Sequence, residues 1–224
     1  MPVALVTGGS AGLGRALTHT LADTGWTVLT DGRRIDRLRA AGRPGVHTLV
    51  GDVADEDHRH ALARGVERLG RLDLLVHNAS TLGPLPLRPL RDVDDAHLRD
   101  VWEVNTAAPH ALTRLLLPAL TTSGGVLVSV SSDAAVEHYE TWGPYAASKA
   151  ALDHLTLTLA AEEGLAAYAV DPGDLRTEMH QAAFPGEDIS DRPLPETVVP
   201  ALLDLVRNRP PAGRYRLADR QAVA

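Results

Sequence analysis

Residues 3–14 constrain the fold of this chain more than any other stretch. Val3-Ala4-Leu5-Val6 is a short apolar run that reads as a buried strand. Thr7-Gly8-Gly9-Ser10-Ala11-Gly12-Leu13-Gly14 follows, and Leu17 and Leu21 continue at helical spacing. A strand that turns through glycines into a helix presents free backbone N–H groups and lets the backbone approach a phosphate closely. The spacing is Thr-Gly-x-x-x-Gly-x-Gly rather than Gly-x-Gly-x-x-Gly. A plain glycine-rich turn would share this composition. The placement between strand and helix is what the anion cradle requires.

The remainder repeats the same alternation. Apolar runs at 26–30, 46–50, 72–76, 125–130 and 166–170 read as strands, and Arg214-Tyr215-Arg216-Leu217 as a short final one. Helical stretches fall at about 55–69, 92–120, 143–163 and 195–207, with Pro109 expected to bend the second near Asn105. Residues 83–89 and 178–195 read as loops. Strands alternating with helices imply right-handed βαβ units. The expected fold is α/β: one doubly wound, Rossmann-type parallel sheet with helices on both faces, forming a single domain over 1–224. Ligands of such sheets bind at the carboxyl ends of the strands, where Thr7, Asp52, Asn78, Ser132 and Pro172-Gly173 gather.

Gly143-Pro144-Tyr145-Ala146-Ala147-Ser148-Lys149 supplies the chemistry. Pro144 suits a first helical turn, and the i,i+4 spacing puts Tyr145 and Lys149 on one face. An ammonium beside a phenol favours the phenolate, and a tuned phenol can act as a general acid or base. Lys149 is the only lysine in a chain with 22 basic residues. Lysine is a compact point charge on a flexible stem, which arginine does not imitate. Asn105, read alone, is a satisfied structural amide on a core-facing helix.

Composition excludes several classes. Net charge is -7 with no basic run, which argues against nucleic acid and anionic membrane as partners. There is no cysteine, so disulfides, thiol catalysis and Cys-ligated metal are out, and no metal is expected. No apolar run approaches 18 residues, and the first residues are too short and uncharged for a signal peptide. A cytoplasmic protein is the expectation.

Taken together, these motifs resemble the short-chain dehydrogenase/reductase family, from Val3 to about Thr177. The resemblance implies an NAD(P)-dependent oxidoreductase that moves hydride between nicotinamide and a carbonyl or secondary alcohol. It assigns Gly8, Ser10, Gly12, Leu13 and Gly14 to the dinucleotide, Asp52 and Val53 to adenine, and Pro172, Gly173 and Thr177 to the nicotinamide side. His77-Asn78-Ala79-Ser80 stands where relatives carry Asn-Asn-Ala-Gly, so Asn78, Ala79 and Ser80 join the cofactor site. Ser132, thirteen residues before Tyr145, matches the family serine, which selects it over Ser131. Tyr145 is then the general acid/base, and Ser132 stabilises the substrate oxygen. Lys149 tunes the tyrosine and holds the nicotinamide ribose. Asn105 anchors a water that links Lys149 to solvent.

Arg33 falls where NADP-preferring relatives carry a base, so NADP(H) is favoured; Asp31, a ribose reader one position early, keeps NAD(H) open. The implied partners are a small-molecule carbonyl or alcohol and further copies of the chain, as homodimer or homotetramer. Loops at 81–91, 133–142 and 178–195 would shape the substrate pocket, with His138, Tyr139, Trp142, Met179 and Phe184 lining it. Two other readings use the same fold: a dehydratase or epimerase that retains its nucleotide, and a non-catalytic dinucleotide-binding regulator. A Ser-His-Asp hydrolase is disfavoured, because Ser132 is not in a Gly-x-Ser-x-Gly elbow.

Overall fold

A computed structural model describes residues 1–220. Seven parallel strands, β1 (Val3–Val6), β2 (Thr27–Gly32), β3 (Val46–Val50), β4 (Leu74–His77), β5 (Val126–Val130), β6 (Ala166–Asp171) and β7 (Gly213–Arg216), lie in the order β3-β2-β1-β4-β5-β6-β7. The inner strands are apolar on both faces, as a sheet covered on both sides requires. Side chains alternate between faces along each strand. Leu29, Leu5, Leu75, Leu127 and Ala167 therefore form one cross-strand row, held by register, in the core on one side. Val28, Ala4, Leu74 and Val126 form the neighbouring row in the core on the other. Leu5, Leu74 and Leu75 are completely buried, each contributing about 2 kcal/mol of transfer free energy.

Eight helices cover the sheet: α1 (Gly12–Asp23), α2 (Ile35–Ala41), α3 (Glu56–Leu69), α4 (Asp95–Trp102), α5 (Ala108–Thr122), α6 (Gly143–Glu163), α7 (Glu178–Ala183) and α8 (Val199–Asn208). Leu13, Leu17 and Leu21 of α1 pack with Leu202 and Leu205 of α8 on one face. Leu62 and Val66 of α3, Leu112 and Leu116 of α5 and Ala160 of α6 share the other. The chain leaves β1 toward β2 and β3, then crosses to β4 on the opposite side of β1. Strand order reverses there, so a crevice opens at the carboxyl ends of β1 and β4.

Three expectations need correction. The predicted helix at 92–120 is α4 and α5 joined by a wider, π-type turn at Glu103–Ala107. That turn, with Asn105 at its centre, is the irregularity. Ala107 and Ala108 are already helical, so Pro109 follows a helical turn, and its missing N–H leaves the carbonyl of Asn105, four residues back, without an α-helical donor, as the sequence leads one to expect. The stretch at 178–195 is not all loop, since it opens with α7, whose N-terminus is capped by Thr177 Oγ1 accepting from the His180 N–H. The last helix starts at Val199, after a separate tight turn at Pro195–Thr197. Among the described residues no helix is long and apolar enough to cross a membrane.

Candidate active site

The glycine turn is built to be approached. Gly8 has φ +71°, and a Cβ there would stand 2.9 Å from the Ala79 Cα. A Cβ on Gly14 would press into Asn78 and the Gly8 carbonyl. No side chain caps α1, so its first N–H groups face the cleft beside Gly8, Ser10, Gly12 and Leu13. Thr7 and Asn78 tie the ends of β1 and β4 together: Asn78 Nδ2 donates to the Thr7 carbonyl at 2.9 Å, and the Asn78 N–H donates to Thr7 Oγ1 at 3.0 Å. A short glycine surface with free donors suits the phosphates of a dinucleotide.

Beyond the turn the cleft carries charges of both signs. Arg33, Arg34 and Arg37 line it with Asp52 and Val53. Arg33 is largely exposed, 3.8 Å from Asp52. Arg37 pairs with Glu178 of α7 at 2.7 Å. Asp31 lines the same stretch of the cleft. Its carboxylate is buried, one oxygen accepting the Gly8 N–H at 2.7 Å and the other lying 2.9 Å from His58 Nε2. Asp31 therefore braces the glycine turn.

At the other end, Ser132, Tyr145 and Lys149 line the same cavity of about 670 Å³. Tyr145 and Lys149 are both buried. Lys149 Nζ donates to the Val130 carbonyl at 2.8 Å and sits 5.6 Å from the centre of the Tyr145 ring. Burial pushes the phenol above its ordinary pKa, while hydrogen bonds with Ser132 and Ser80 pull the other way. Burial also lowers Lys149 to about 8, with Asp153 opposing. The expected pull of the ammonium on the phenol is outweighed by burial, the largest influence on both groups.

Ser80, expected in the cofactor site, lines the cleft and is tied to the buried Asn105. Its hydroxyl donates to Asn105 Oδ1 at 3.1 Å. Asn105 is fully buried and saturated: Oδ1 also accepts the Thr81 N–H at 2.8 Å, and Nδ2 donates to the Thr81 carbonyl at 2.9 Å and to Ser148 Oγ at 3.0 Å. The π-type turn delivers this amide under the Ser80-Thr81 segment. His77 Nε2 lies 2.6 Å from Thr113 Oγ1, joining β4 to α5, and burial plus the Lys149 charge lower it to about 3.

Ala79, Pro172, Gly173 and Thr177 also line the cleft. Of the loop residues expected around the substrate, Tyr139, Trp142, Met179 and Phe184 line it and His138 does not. Trp142 meets Tyr145 edge-on at 5.5 Å and Phe184 at 5.9 Å. Leu82 and Ala134 complete this apolar wall. Sequence reasoning missed His58, Arg37, Asp153 and Arg214, whose partners are distant in the chain.

A doubly wound sheet, a glycine cradle at its switch point and a Ser-Tyr-Lys group in the same cleft define an NAD(P)-dependent oxidoreductase. The family profile described as short chain dehydrogenase matches residues 2–188. The chain is 34% identical over 217 residues to an uncharacterised oxidoreductase of Escherichia coli K12, covering 91% of this chain and 85% of that one. It is 32% identical over 183 residues to the L-fucose dehydrogenase of Bos taurus, covering 79% and 67%. A short-chain dehydrogenase structure from Shigella flexneri, complexed with NADP, superposes with TM-score 0.88 at 31% identity, covering 97% of each chain. One from Escherichia coli CFT073, complexed with NADPH, gives 0.88 at 33% identity and covers 96% of each. The chain belongs to the short-chain dehydrogenase family.

Proposed function

We propose that this chain works as one unit, an NADP(H)-dependent oxidoreductase that interconverts a carbonyl and an alcohol in a small molecule. The carrying observation is that Ser132, Tyr145 and Lys149 share one cleft with the glycine cradle. When bound, the dinucleotide supplies or accepts the hydride. Gly8, Ser10, Gly12, Leu13 and Gly14 would hold its phosphates, Asp52 and Val53 its adenine, and Asn78, Ala79, Ser80, Pro172, Gly173 and Thr177 its nicotinamide half. Arg33 would meet a 2′-phosphate. The engaged state of Asp31 and the NADP- and NADPH-bound relatives support that choice.

Burial keeps the Tyr145 phenol protonated at neutral pH, the form that donates to a carbonyl oxygen as it gains charge. Ser132 hydrogen-bonds the same oxygen and stabilises the charge. Lys149 holds its positive charge below about pH 8, beside the phenol, and would also hold the nicotinamide ribose. Asn105 fixes Ser80 and Thr81 at the rim of the cleft that Tyr145 shares. The wall of Leu82, Ala134, Trp142, Met179 and Phe184 suits a substrate with an apolar group beside its carbonyl. Leu98, Trp102 and Leu115 are exposed apolar residues on α4 and α5, which supports a homodimer or homotetramer. The charge of -7 fits a cytoplasmic protein that avoids nucleic acid and membranes.

The test is titration with NADPH and NADH, followed by a panel of carbonyl compounds monitored by nicotinamide absorbance. Tighter NADPH binding, with reduction of at least one apolar carbonyl, is expected. Binding of neither dinucleotide would overturn the reading.

A further inference from the structure

Behind the catalytic face lies a buried polar cluster that the reaction as described leaves unused. On α6, Tyr145, Lys149 and Asp153 follow one another at intervals of four, so they share one helix face. Asp153 is buried. Its Oδ2 accepts from Ser131 Oγ at 2.8 Å and from Arg214 Nε at 3.2 Å. Its Oδ1 is buried with no hydrogen-bond partner. Arg214, from β7, reaches across β6 to donate from Nη2 to the Ser132 carbonyl at 2.7 Å. The same Nη2 lies 3.5 Å from Asp171 Oδ2, and Asp171 Oδ1 accepts the Gly173 N–H at 2.9 Å.

Two consequences follow from this placement. A buried carboxylate with an unpaired oxygen is costly unless a cation is near. Two cations are near, Arg214 in contact and Lys149 one turn away, and both Asp153 and Lys149 feel each other's charge. Separately, the guanidinium clamps the backbone of the serine that faces the substrate. Resting on the oxidoreductase reading above, we propose that Asp153 and Arg214 are positioning residues: Asp153 holds the Lys149 ammonium in its charged form, and Arg214 fixes Ser132 through its carbonyl. Around Lys149 stand Tyr145 and Asp153 on its own helix and His77 on β4, with Arg214 on β7 joined to Asp153 and Asp171 at the end of β6 joined to Arg214. His77 is neutral at working pH, so the carboxylates and the guanidinium set the balance.

The sequence supplies an unusual way to test this. Lys149 is the only lysine, so protein labelled with 13C-lysine carries one side-chain Cε signal, whose shift against pH reports Lys149 alone. Asp153→Asn removes the attracting charge, and the Lys149 midpoint is expected to fall by about one unit. Arg214→Met removes a repelling charge and frees the carboxylate, and the midpoint is expected to rise. A purely structural role would not move the two in opposite directions. In turnover, the alkaline limb of the kcat profile should shift to lower pH for Asp153→Asn, and Asp153→Glu should restore it. Arg214→Met should lower kcat with little change in the dinucleotide Kd. Lys149 curves that superimpose on the wild type in both variants, or move the same way, would overturn the proposal. The NMR titration needs no substrate. A protein that reduces no carbonyl yet shows the opposed shifts would fail as an oxidoreductase and keep the charge coupling.

Discussion

Asp31, near the end of β2, and Asp153, on α6 behind the catalytic group, are both buried carboxylates, and they are finished differently. Asp31 has a partner for each oxygen, the Gly8 N–H and His58. Asp153 has both its partners on one oxygen and none on the other. The first sits under the phosphate end, where the backbone meets the ligand and must be held rigid. The second sits under the chemical end, where a charge near Lys149 is useful because it is not fully spent. A satisfied buried carboxylate stabilises a shape; one left partly unsatisfied sets the electrostatics around it.

That contrast can be broken from either side. The largest effect belongs to the chemical end: Tyr145→Phe is expected to lower kcat by about 10²–10⁴-fold. Its NADPH Kd should stay as in the wild type, because the phosphate end is untouched. A parallel loss of dinucleotide binding in isothermal titration would show that the two ends are not separable. Next comes acid stability. His77 is buried and neutral, with its folded pKa at about 3 against an unfolded value near 6.5. Below 6.5 the unfolded chain takes up a proton that the folded one refuses. Stability contributed by the neutral ring is therefore present above that pH and is lost as pH falls toward 3. Between pH 7 and pH 5 the loss is about 2 kcal/mol. Urea unfolding at the two pH values measures it, and His77→Asn should flatten the difference.

A smaller effect sharpens the role of Asp31. Asp31→Ala leaves the Gly8 N–H and His58 without their acceptor and should cost about 1–3 kcal/mol in urea unfolding. NADPH and NADH should weaken together, since the loss is in the cradle and not in the ribose contact. A selective gain for NADPH would mean that Asp31 reads the ribose after all. The smallest effect is Arg33→Ala, expected to raise the NADPH Kd about tenfold, or about 1.4 kcal/mol, and to leave the NADH Kd unchanged.

Much of the phosphate end was legible in the sequence. Backbone at φ +71° and contacts that leave no room for a Cβ demand glycine, and glycine at fixed spacing can be read. Tyr145 and Lys149 were equally legible, because helical spacing alone puts them together. The alternating apolar runs gave the sheet and the position of its switch point. What could not be read depends on pairs far apart in the chain. His58 meets Asp31 from α3, and Arg214 meets Asp153 from a strand 61 residues on. Nothing local to Asp31 says that its carboxylate is already used, so the sequence leaves it open as a ribose reader beside Arg33. α7 was hidden for a different reason: six residues bounded by Thr177 and Phe184-Pro185-Gly186 are too short for a periodic signal. The disturbance near Asn105 was legible through Pro109, but not its π form, because proline marks where a helix is broken and not how the turn is rebuilt.

β7 also bears on the order in which this enzyme is assembled. It lies at the edge of the sheet and pairs only with β6, yet it brings the guanidinium that grips Ser132. A ribosome makes the cradle well before this strand, since β7 follows β1 and α1 by most of the described sheet. The nascent chain can therefore build its phosphate-binding end before the serine is clamped, and the reactive end is completed only when β7 docks on β6.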